Sequence, residues 1–371
     1  MEEKFMLRDV LNIKAVEKLS NNIFEIYENF DKNNFSNDIK LELDSLNFGD
    51  RSKLICKNLK KYLPNDYEIA VNILIKTLKD EIPSNEIPKL SGFIIMPLCL
   101  FVSTYGLDYY DLSIKALYEM TKRFTAEGDI RPFIIKYPEK TIDILLKWTK
   151  DKNTHVRRLS SEGTRPRLPL GIRLPLFQKD PMPIINILDK LKNDEELYVR
   201  RSVANNLNDI SKDNPDIVTK TLKEWNKIED ENIKWLIKHS LRTLIKQGNK
   251  EALDILGYDF KTNILVENIE LDSNKISIGD KLNFNFKIKS NANENQNLMI
   301  DYTIYYMKAN GKNKPKVFKL AKKNIKPSET IKISKNHSFK PINTRKHYKG
   351  IHYLEIKING ENYFMEKFVL E

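Results

Sequence analysis

The sequence of 371 residues predicts a chain in two parts, an all-α domain of helical repeats followed by an all-β sandwich. Three observations predict this fold class. Apolar residues recur at spacings of three and four up to about Gly257, and at a spacing of two after it. Three segments of the first part align with one another at intervals of 43 and 37 residues. Turn-forming pairs such as Asn310-Gly311 separate the alternating segments of the second part. We therefore expect domains at residues 1–258 and 259–371.

The helical part is predicted from apolar stretches that are interrupted by helix breakers. Residues 69–78, 112–124 and 142–148 place apolar side chains on one face of a helix. Pro64, Pro83 and Pro138 stand between or before these stretches, and proline disrupts the interior of a helix. The pattern is typical of short helices joined by short turns.

The three aligned segments begin at His155, Tyr198 and Trp235. Each follows another apolar helix and a short acidic turn. Two helices per unit at this interval are typical of a HEAT-like α-solenoid, which offers a concave face to a large ligand. A proline-rich insertion, residues 166–175, lengthens the first interval.

The second part is predicted to consist of short strands. Residues 276–278, 282–288, 300–304, 331–333 and 354–358 alternate between apolar and polar side chains. About seven such strands in a segment of this length predict an immunoglobulin-like sandwich. It lacks the cysteine pair of antibody domains.

The positive charge is concentrated towards the end of the chain. The net charge is +12, and the residues from Asp259 onward hold 21 Lys and Arg against 12 Asp and Glu. Between Lys308 and Lys349 there are 14 basic residues and one acid, Glu329. A local excess of this kind favours binding to a polyanion, above all to nucleic acid phosphates. A merely solvated, lysine-rich surface is the alternative.

The composition also predicts where the protein works. Cys56 and Cys99 cannot form a disulfide framework, so we expect reduced thiols in the cytoplasm. The longest apolar run, about residues 92–102, is interrupted by Pro97 and is shorter than the ~20 residues that cross a bilayer. We therefore expect no association with membranes.

One face of the three aligned helices is predicted to be polar and basic. Positions two and six after the first aligned apolar residue lie one turn apart on a helix. These positions, together with position ten of the second helix, are Arg158, Glu162, Arg201, Asn205, Lys238, Arg242 and Asp209. The cations either contact DNA phosphates or form structural ladders between repeats, and the repetition alone does not separate these interpretations. Glu162 either pairs with Arg158 or faces a cationic ligand.

Several kinds of site are not predicted. The sequence has no glycine-rich nucleotide-binding loop. Its five histidines show no ligand spacing with the two cysteines, so we expect no metal site and no cofactor.

The motifs of the helical part resemble those of a known family. They are His155-Val-Arg-Arg-Leu-Ser-Ser-Glu-Gly-Thr-Arg-Pro-Arg-Leu-Pro, Tyr198-Val-Arg-Arg-Ser-Val-Ala-Asn-Asn-Leu-Asn-Asp, His239-Ser-Leu-Arg-Thr-Leu, and Glu127 with Ile130-Arg-Pro-Phe. This set resembles the AlkC branch of the DNA alkylation repair glycosylases, the HEAT-like family that also includes AlkD. The similarity is close from about Phe124 to Gly257, and AlkC proteins often carry a C-terminal immunoglobulin-like domain.

The resemblance implies a monofunctional glycosylase that removes cationic N-alkylated bases, chiefly 3-methyladenine, from duplex DNA without base flipping. We also expect a monomer that associates with the nucleoid when it acts on DNA. By the same resemblance, Glu162, Glu127, Asp209 and Arg158 are the candidate catalytic residues. The chain departs from the family at Leu170, where the motif usually has Trp, and at Gly128-Asp129, where apolar residues are expected.

The candidate DNA contacts form two groups. Those of the helical part are Arg157, Arg165, Arg167, Arg173, Arg200, Arg201, Asn205, Lys238 and Arg242. Those of the sandwich are Lys314, Lys316, Lys322, Lys323, Arg345 and Lys346.

Two other functions remain open from the residues alone. Repeat solenoids are more often binding platforms than enzymes, so a non-catalytic scaffold for DNA or for an acidic protein is the alternative. The acids Glu127, Glu162 and Asp209 favour the enzyme, because a surface that binds phosphates gains nothing from them. RNA binding by the sandwich is supported by charge alone.

Overall fold

The computed structural model describes residues 6–83, 86, 90–342 and 345–371. The chain divides into two compact units, Met1–Asn214 with Asp230–Ser240, and Pro215–Glu229 with Leu241–Glu371. Two helical segments that precede residue 259 thus belong to the same unit as the strands. The domain boundary at residues 258 and 259 stays a prediction. No helix in the described ranges is both long and apolar enough to cross a membrane.

Short helices make up the first part of the chain, which confirms the predicted helical region. The described residues form sixteen α-helices, with 3₁₀ turns at Leu7–Val10 and Leu90–Ile95. The helices are α1 (Ile13–Ile26), α2 (Lys32–Leu43), α3 (Phe48–Tyr62), α4 (Tyr67–Thr77), α5 (Met96–Tyr105), α6 (Tyr110–Thr121), α7 (Arg131–Lys136), α8 (Pro138–Trp148), α9 (Thr154–Glu162), α10 (Pro175–Lys179), α11 (Met182–Leu191), α12 (Leu197–Ile210), α13 (Pro215–Trp225), α14 (Glu231–Ser240), α15 (Arg242–Gln247) and α16 (Lys250–Ile255).

The aligned segments lie on α9, α12 and α14. In the first unit, α12 packs against both α9 and α14, and α11 packs against α8, α9 and α12. The apolar residues between the charged positions of α9 and α12, Val156, Leu159, Val203 and Leu207, are all buried. Burial of each such side chain contributes roughly 1.5–3 kcal/mol. The apolar face therefore holds α9 and α12 in the core and leaves the charged positions to form a site.

The third aligned segment differs from the expectation of one continuous helix. At Leu241 the backbone has φ −78° and ψ −2°, so α14 ends at Ser240 and α15 begins at Arg242. Lys238 and Arg242 thus lie on different helices and in different units. The prediction of one unbroken helix through Lys238 and Arg242 is therefore wrong.

The second unit contains a sandwich of two sheets. Its strands are β1 (Ile264–Leu271), β2 (Lys275–Ile276), β3 (Lys281–Ser290), β4 (Gln296–Met307), β5 (Asn313–Ile325), β6 (Thr330–Ser338), β7 (Gly350–Ile358) and β8 (Glu361–Leu370). One sheet has the order β1-β3-β6 and the other β2-β8-β7-β4-β5. All pairs are antiparallel except β2 with β8. Phe286, Ile304 and Leu354 belong to one apolar core that both sheets share. The predicted β-sandwich is confirmed.

A polar network lies inside this sandwich. The ring nitrogens of His337 lie 2.9 Å from the Tyr302 hydroxyl and 2.7 Å from the Tyr306 hydroxyl. Arg345 donates a hydrogen bond to the Tyr306 hydroxyl (2.7 Å), and its guanidinium carbon lies 4.7 Å from the centroid of that ring. Since burial would be costly for unpaired polar groups, these bonds allow His337 to lie in the core.

Candidate active site

The site begins with α9, whose ends are both fixed by local sequence. The Asn153 side chain accepts hydrogen bonds from the backbone N–H groups of His155 and Val156 and so caps the start of the helix. At the other end, a Cβ on Gly163 would lie 2.7 Å from a methyl group of Ile130. Glycine therefore allows the end of α9 to approach the residues just before α7. This contact brings Glu162 towards the turn that carries Glu127.

Five charged side chains of alternating sign form a continuous chain across this region. Arg158 lies 2.6 Å from Glu127 and 3.8 Å from Glu162. Arg165 lies 2.6 Å from Glu162 and 2.8 Å from Asp209. The structure thus brings together all four predicted catalytic residues, with Arg165 as the link to Asp209. We call these five residues the charge chain.

The carboxylates of the charge chain differ in access to solvent. The side chain of Glu127 is 27% exposed, whereas those of Glu162 and Asp209 are 7% and 3% exposed. One oxygen of Glu162 is bonded to Arg165, and the other accepts a hydrogen bond of 2.6 Å from Ser202. Glu127 is therefore the most accessible carboxylate of the charge chain.

The charges of the neighbouring side chains keep Glu162 ionised. Burial alone would raise the pKa of this carboxyl group, but the guanidinium groups of Arg158 and Arg165 and the bond from Ser202 outweigh burial. The pKa of Glu162 is consequently lowered. Conversely, the pKa of Arg158 is raised despite its burial, chiefly by Glu127. Both partners are charged at neutral pH.

A fully buried arginine secures the proline-rich insertion. Arg131, the first residue of α7, donates to the carbonyl of Gly163 (2.8 Å) and to that of Ile172 (2.6 Å). It thereby ties the insertion to the end of α9. Within the insertion Leu170 is fully exposed and has φ 63°, a conformation that disfavours a residue with a side chain. The residue that departs from the family motif thus stands at the tip of an anchored loop.

Three predicted DNA contacts are buried and have partners in the protein. Arg165 belongs to the charge chain. Arg157 binds Asp194 (2.7 Å) and the carbonyl of Asp151, and Arg200 binds the carbonyl of Asp194. Arg157 and Arg200 thus bind the acidic turns that precede the aligned helices of successive repeats. This arrangement agrees with the interpretation that these cations form structural ladders between repeats. Because the three guanidinium groups are buried, contacts between them and phosphates are not favoured.

The other candidate contacts are more accessible. Arg173, Arg201 and Lys238 are exposed, and Arg167 forms two bonds with Asp213 (2.6 and 2.8 Å). Asn205 lies 3.3 Å from His239. Five candidate contacts of the sandwich are also exposed. They are Lys346 and the four lysines of β5, Lys314, Lys316, Lys322 and Lys323.

One aromatic residue of the site is not among those predicted from the sequence. The ring of Tyr198, on α12, lies 4.8 Å from the guanidinium carbon of Arg158. The aligned helices carry aromatic or imidazole rings at this same position, His155, Tyr198 and Trp235. That repetition is the signal in the sequence that would have identified Tyr198.

No group of three or more His, Cys, Asp or Glu side chains that could hold a metal ion occurs among the described residues. The charged side chains of the site instead alternate in sign along the charge chain.

Family models match both parts of the chain. The model for DNA alkylation repair enzymes matches residues 125–244, which contain the whole charge chain. A model described as the C-terminal Ig-like domain of the uncharacterised protein YhaZ matches residues 265–371. The fold and the site thus define a DNA alkylation repair domain that is followed by an immunoglobulin-like domain.

Similar proteins span the full length of the chain. The uncharacterised protein YhaZ of Bacillus subtilis is 40% identical over 356 residues, which cover 96% of each chain. The solved structure of the Pseudomonas fluorescens alkylpurine DNA glycosylase AlkC, bound to DNA containing an abasic site analogue, is 34% identical with a TM-score of 0.88. It covers 99% of this chain and 100% of its own. The chain belongs to the AlkC branch of the DNA alkylation repair enzyme family.

Proposed function

We propose that this protein is a monofunctional DNA glycosylase that hydrolyses the N-glycosidic bond of cationic alkylated bases of the 3-methyladenine type in duplex DNA. The observation that carries the proposal is the charge chain, in which acids are held among arginines within the segment that matches DNA alkylation repair enzymes. The similarity to an alkylpurine DNA glycosylase supports the same reaction. The product is an abasic site for base excision repair.

The chemistry of cationic lesions suits these residues. A base that is alkylated at N3 or N7 carries a positive charge, so it can leave without protonation by a general acid. As the bond breaks, the sugar gains positive charge, and a nearby carboxylate stabilises it and orients the attacking water. No metal or cofactor is needed for this step, and base flipping is not required.

The acids of the charge chain take different roles in this proposal. Glu127 is assigned to the sugar and the water, because it is the most exposed carboxylate of the charge chain. Glu162 and Asp209 hold Arg158 and Arg165 in place and contribute negative potential. Direct contact between Glu162 and the sugar would require Arg165 or Ser202 to move.

The fold and the charge distribution suggest how DNA binds. We propose that the paired helices form a HEAT-like α-solenoid whose inner face receives the duplex, and that the domains are residues 1–258 and 259–371. The exposed cations Arg173, Arg201 and Lys238 would contact phosphates beside the lesion. The lysines of β5, with Arg345 and Lys346, would form a second contact.

Release of methylated adenine from alkylated duplex DNA tests the function. Full-length wild-type protein should release the base, and Glu162→Gln should release it more slowly. If well-folded wild-type protein binds the DNA but releases no base, a non-catalytic scaffold is favoured. If both proteins release the base at the same rate, Glu162 has no part in the reaction.

A further inference from the structure

We propose that Tyr198 is a positioning residue of the active site, which holds the guanidinium group of Arg158 against its ring. The inference rests on the proposed glycosylase function. Tyr198 is half-buried on α12, and its ring centroid lies 4.8 Å from the central carbon of that guanidinium. Tyr198 stands at the start of α12, whereas Asp209, the acid of the charge chain on this helix, stands at its end. The contact of α12 with Arg158 is therefore made by the ring.

The other contacts of Arg158 are made by the nitrogen atoms at the edges of its guanidinium group. A guanidinium group is planar, and its edges donate hydrogen bonds. Arg158 uses its edges for Glu127 and Thr125 on one nitrogen, and its second terminal nitrogen faces Glu162. These partners bind the edges of the group, so the contact with Tyr198 is an additional one. The ring centroid of Tyr198 lies 4.8 Å from the guanidinium carbon, which is within the range of a cation–π attraction.

A second contact fixes the ring itself. The imidazole ring of His155 lies 5.9 Å from the Tyr198 ring at an interplanar angle of 71°. His155 is buried, and its pKa is lowered by burial and then by the charge of Arg158, so it is neutral at pH 7. The contacts therefore run from His155 through Tyr198 to Arg158, and neither ring needs to carry a charge.

The pKa of Glu162 should depend on this ring through Arg158. Arg158 is one of the groups that lower the pKa of Glu162 against the effect of burial. If Arg158 loses its support and moves, Glu162 becomes protonated at a higher pH. Loss of the ring should therefore slow base release and also shift its pH dependence, which a purely structural defect would not do.

The test is single-turnover release of methylated adenine by full-length protein at saturating enzyme, from pH 4.5 to pH 8. Tyr198→Leu should lower the rate by roughly 30-fold, which corresponds to the ~2 kcal/mol of a desolvated cation–π contact. Its acid limb should lie at higher pH than that of wild type. Tyr198→Phe retains the ring and should remain within about twofold of wild type. Tyr62→Leu is the matched control, since Tyr62 has a lysine 4.9 Å from its ring but lies outside the site.

A double variant separates positioning from instability. In an Arg158→Lys background, Tyr198→Leu should cause little further loss, because the planar group it supports is already absent. Full additivity of the two losses would overturn the proposal, and so would a Tyr198→Leu rate equal to wild type at every pH. A Tyr198→Phe rate as low as that of Tyr198→Leu would overturn it in favour of the hydroxyl group. Absence of base release by wild type would instead refute the glycosylase function.

Discussion

Arg165 and Glu162 form a buried ion pair in the helical unit, with a guanidinium nitrogen 2.6 Å from a carboxylate oxygen. The two residues are only three positions apart, but Arg165 also reaches Asp209 on α12. The pair therefore joins the end of α9 to a second helix. It also keeps Glu162 charged while limiting the access of a ligand to that carboxylate.

Removal of Arg165 should destabilise the protein strongly. Arg165→Met would leave Glu162 and Asp209 buried without this cation, and loss of one partner of a buried ion pair costs about 3–5 kcal/mol. Urea denaturation measures the free energy of unfolding. Arg173→Met, at an exposed position in the insertion that follows Arg165, should change this free energy by less than about 0.5 kcal/mol. Equal effects of the two substitutions would contradict a structural role for the ion pair.

Glu127 and Glu162 should differ in their effects on base release. Glu127→Gln removes the accessible charge that we assign to the sugar, so the single-turnover rate should fall by about 100-fold or more. Glu162→Gln leaves Glu127 in place and should cost about tenfold. Glu139→Gln, on the exposed first turn of α8, serves as the control. A larger loss for Glu162→Gln than for Glu127→Gln would reverse the assignment of roles.

Much of the fold follows from periodicity in the sequence, and the exceptions have local causes. The alternating pattern predicts no strand at β1, because a bulge interrupts it between Glu267 and Glu270, where Asn268 has φ 52°. The break after Ser240 is likewise invisible, since neither glycine nor proline marks it. Irregular backbone at ordinary residues is set by tertiary packing, which periodicity does not report.

The four candidate catalytic residues were predictable from the sequence, but their contacts were not. Helical spacing and the family motifs identify Arg158 and Glu162, which the structure brings together with Glu127 and Asp209. Spacing does not show that Arg165 turns back into the protein, because the path of the insertion depends on the buried Arg131. Whether a cation binds phosphate or a neighbouring turn is decided by burial, as Arg157 illustrates.

The buried His337 should make the stability of the sandwich depend on pH. Burial, reinforced by the charge of Arg345, lowers the pKa of His337 from 6.5 to about 4. Between these values the unfolded chain binds a proton that the folded chain does not. The contribution of His337 to stability is therefore greatest above pH 6.5, and it decreases by about 3 kcal/mol as the pH falls towards 4.

A comparison of two proteins isolates that effect. Burial raises the pKa of Asp301 to about 6, which gives a slope of opposite sign over part of this range. The measurement is therefore the difference in unfolding free energy between wild type and His337→Gln at several pH values. This difference should shrink as the pH falls from 7 to 4. A difference that stays constant over this range would show that His337 does not titrate with a lowered pKa.

The lysines of β5 should govern the salt dependence of DNA binding. A truncation at residue 259 would divide the compact unit that includes residues 215–229 and 241–258, so substitutions are the cleaner test. Replacement of Lys314, Lys316, Lys322 and Lys323 by alanine should weaken binding. Each lost phosphate contact should reduce the steepness of the slope of log K against log salt by about 0.9.

The control variant loses the same charge from the other sheet. It replaces four exposed lysines by alanine, namely Lys287, Lys289, Lys332 and Lys335. Equal slopes for the two quadruple variants would mean that the sandwich acts through its total charge, and a smaller slope for the β5 variant alone would locate the second DNA contact on that strand.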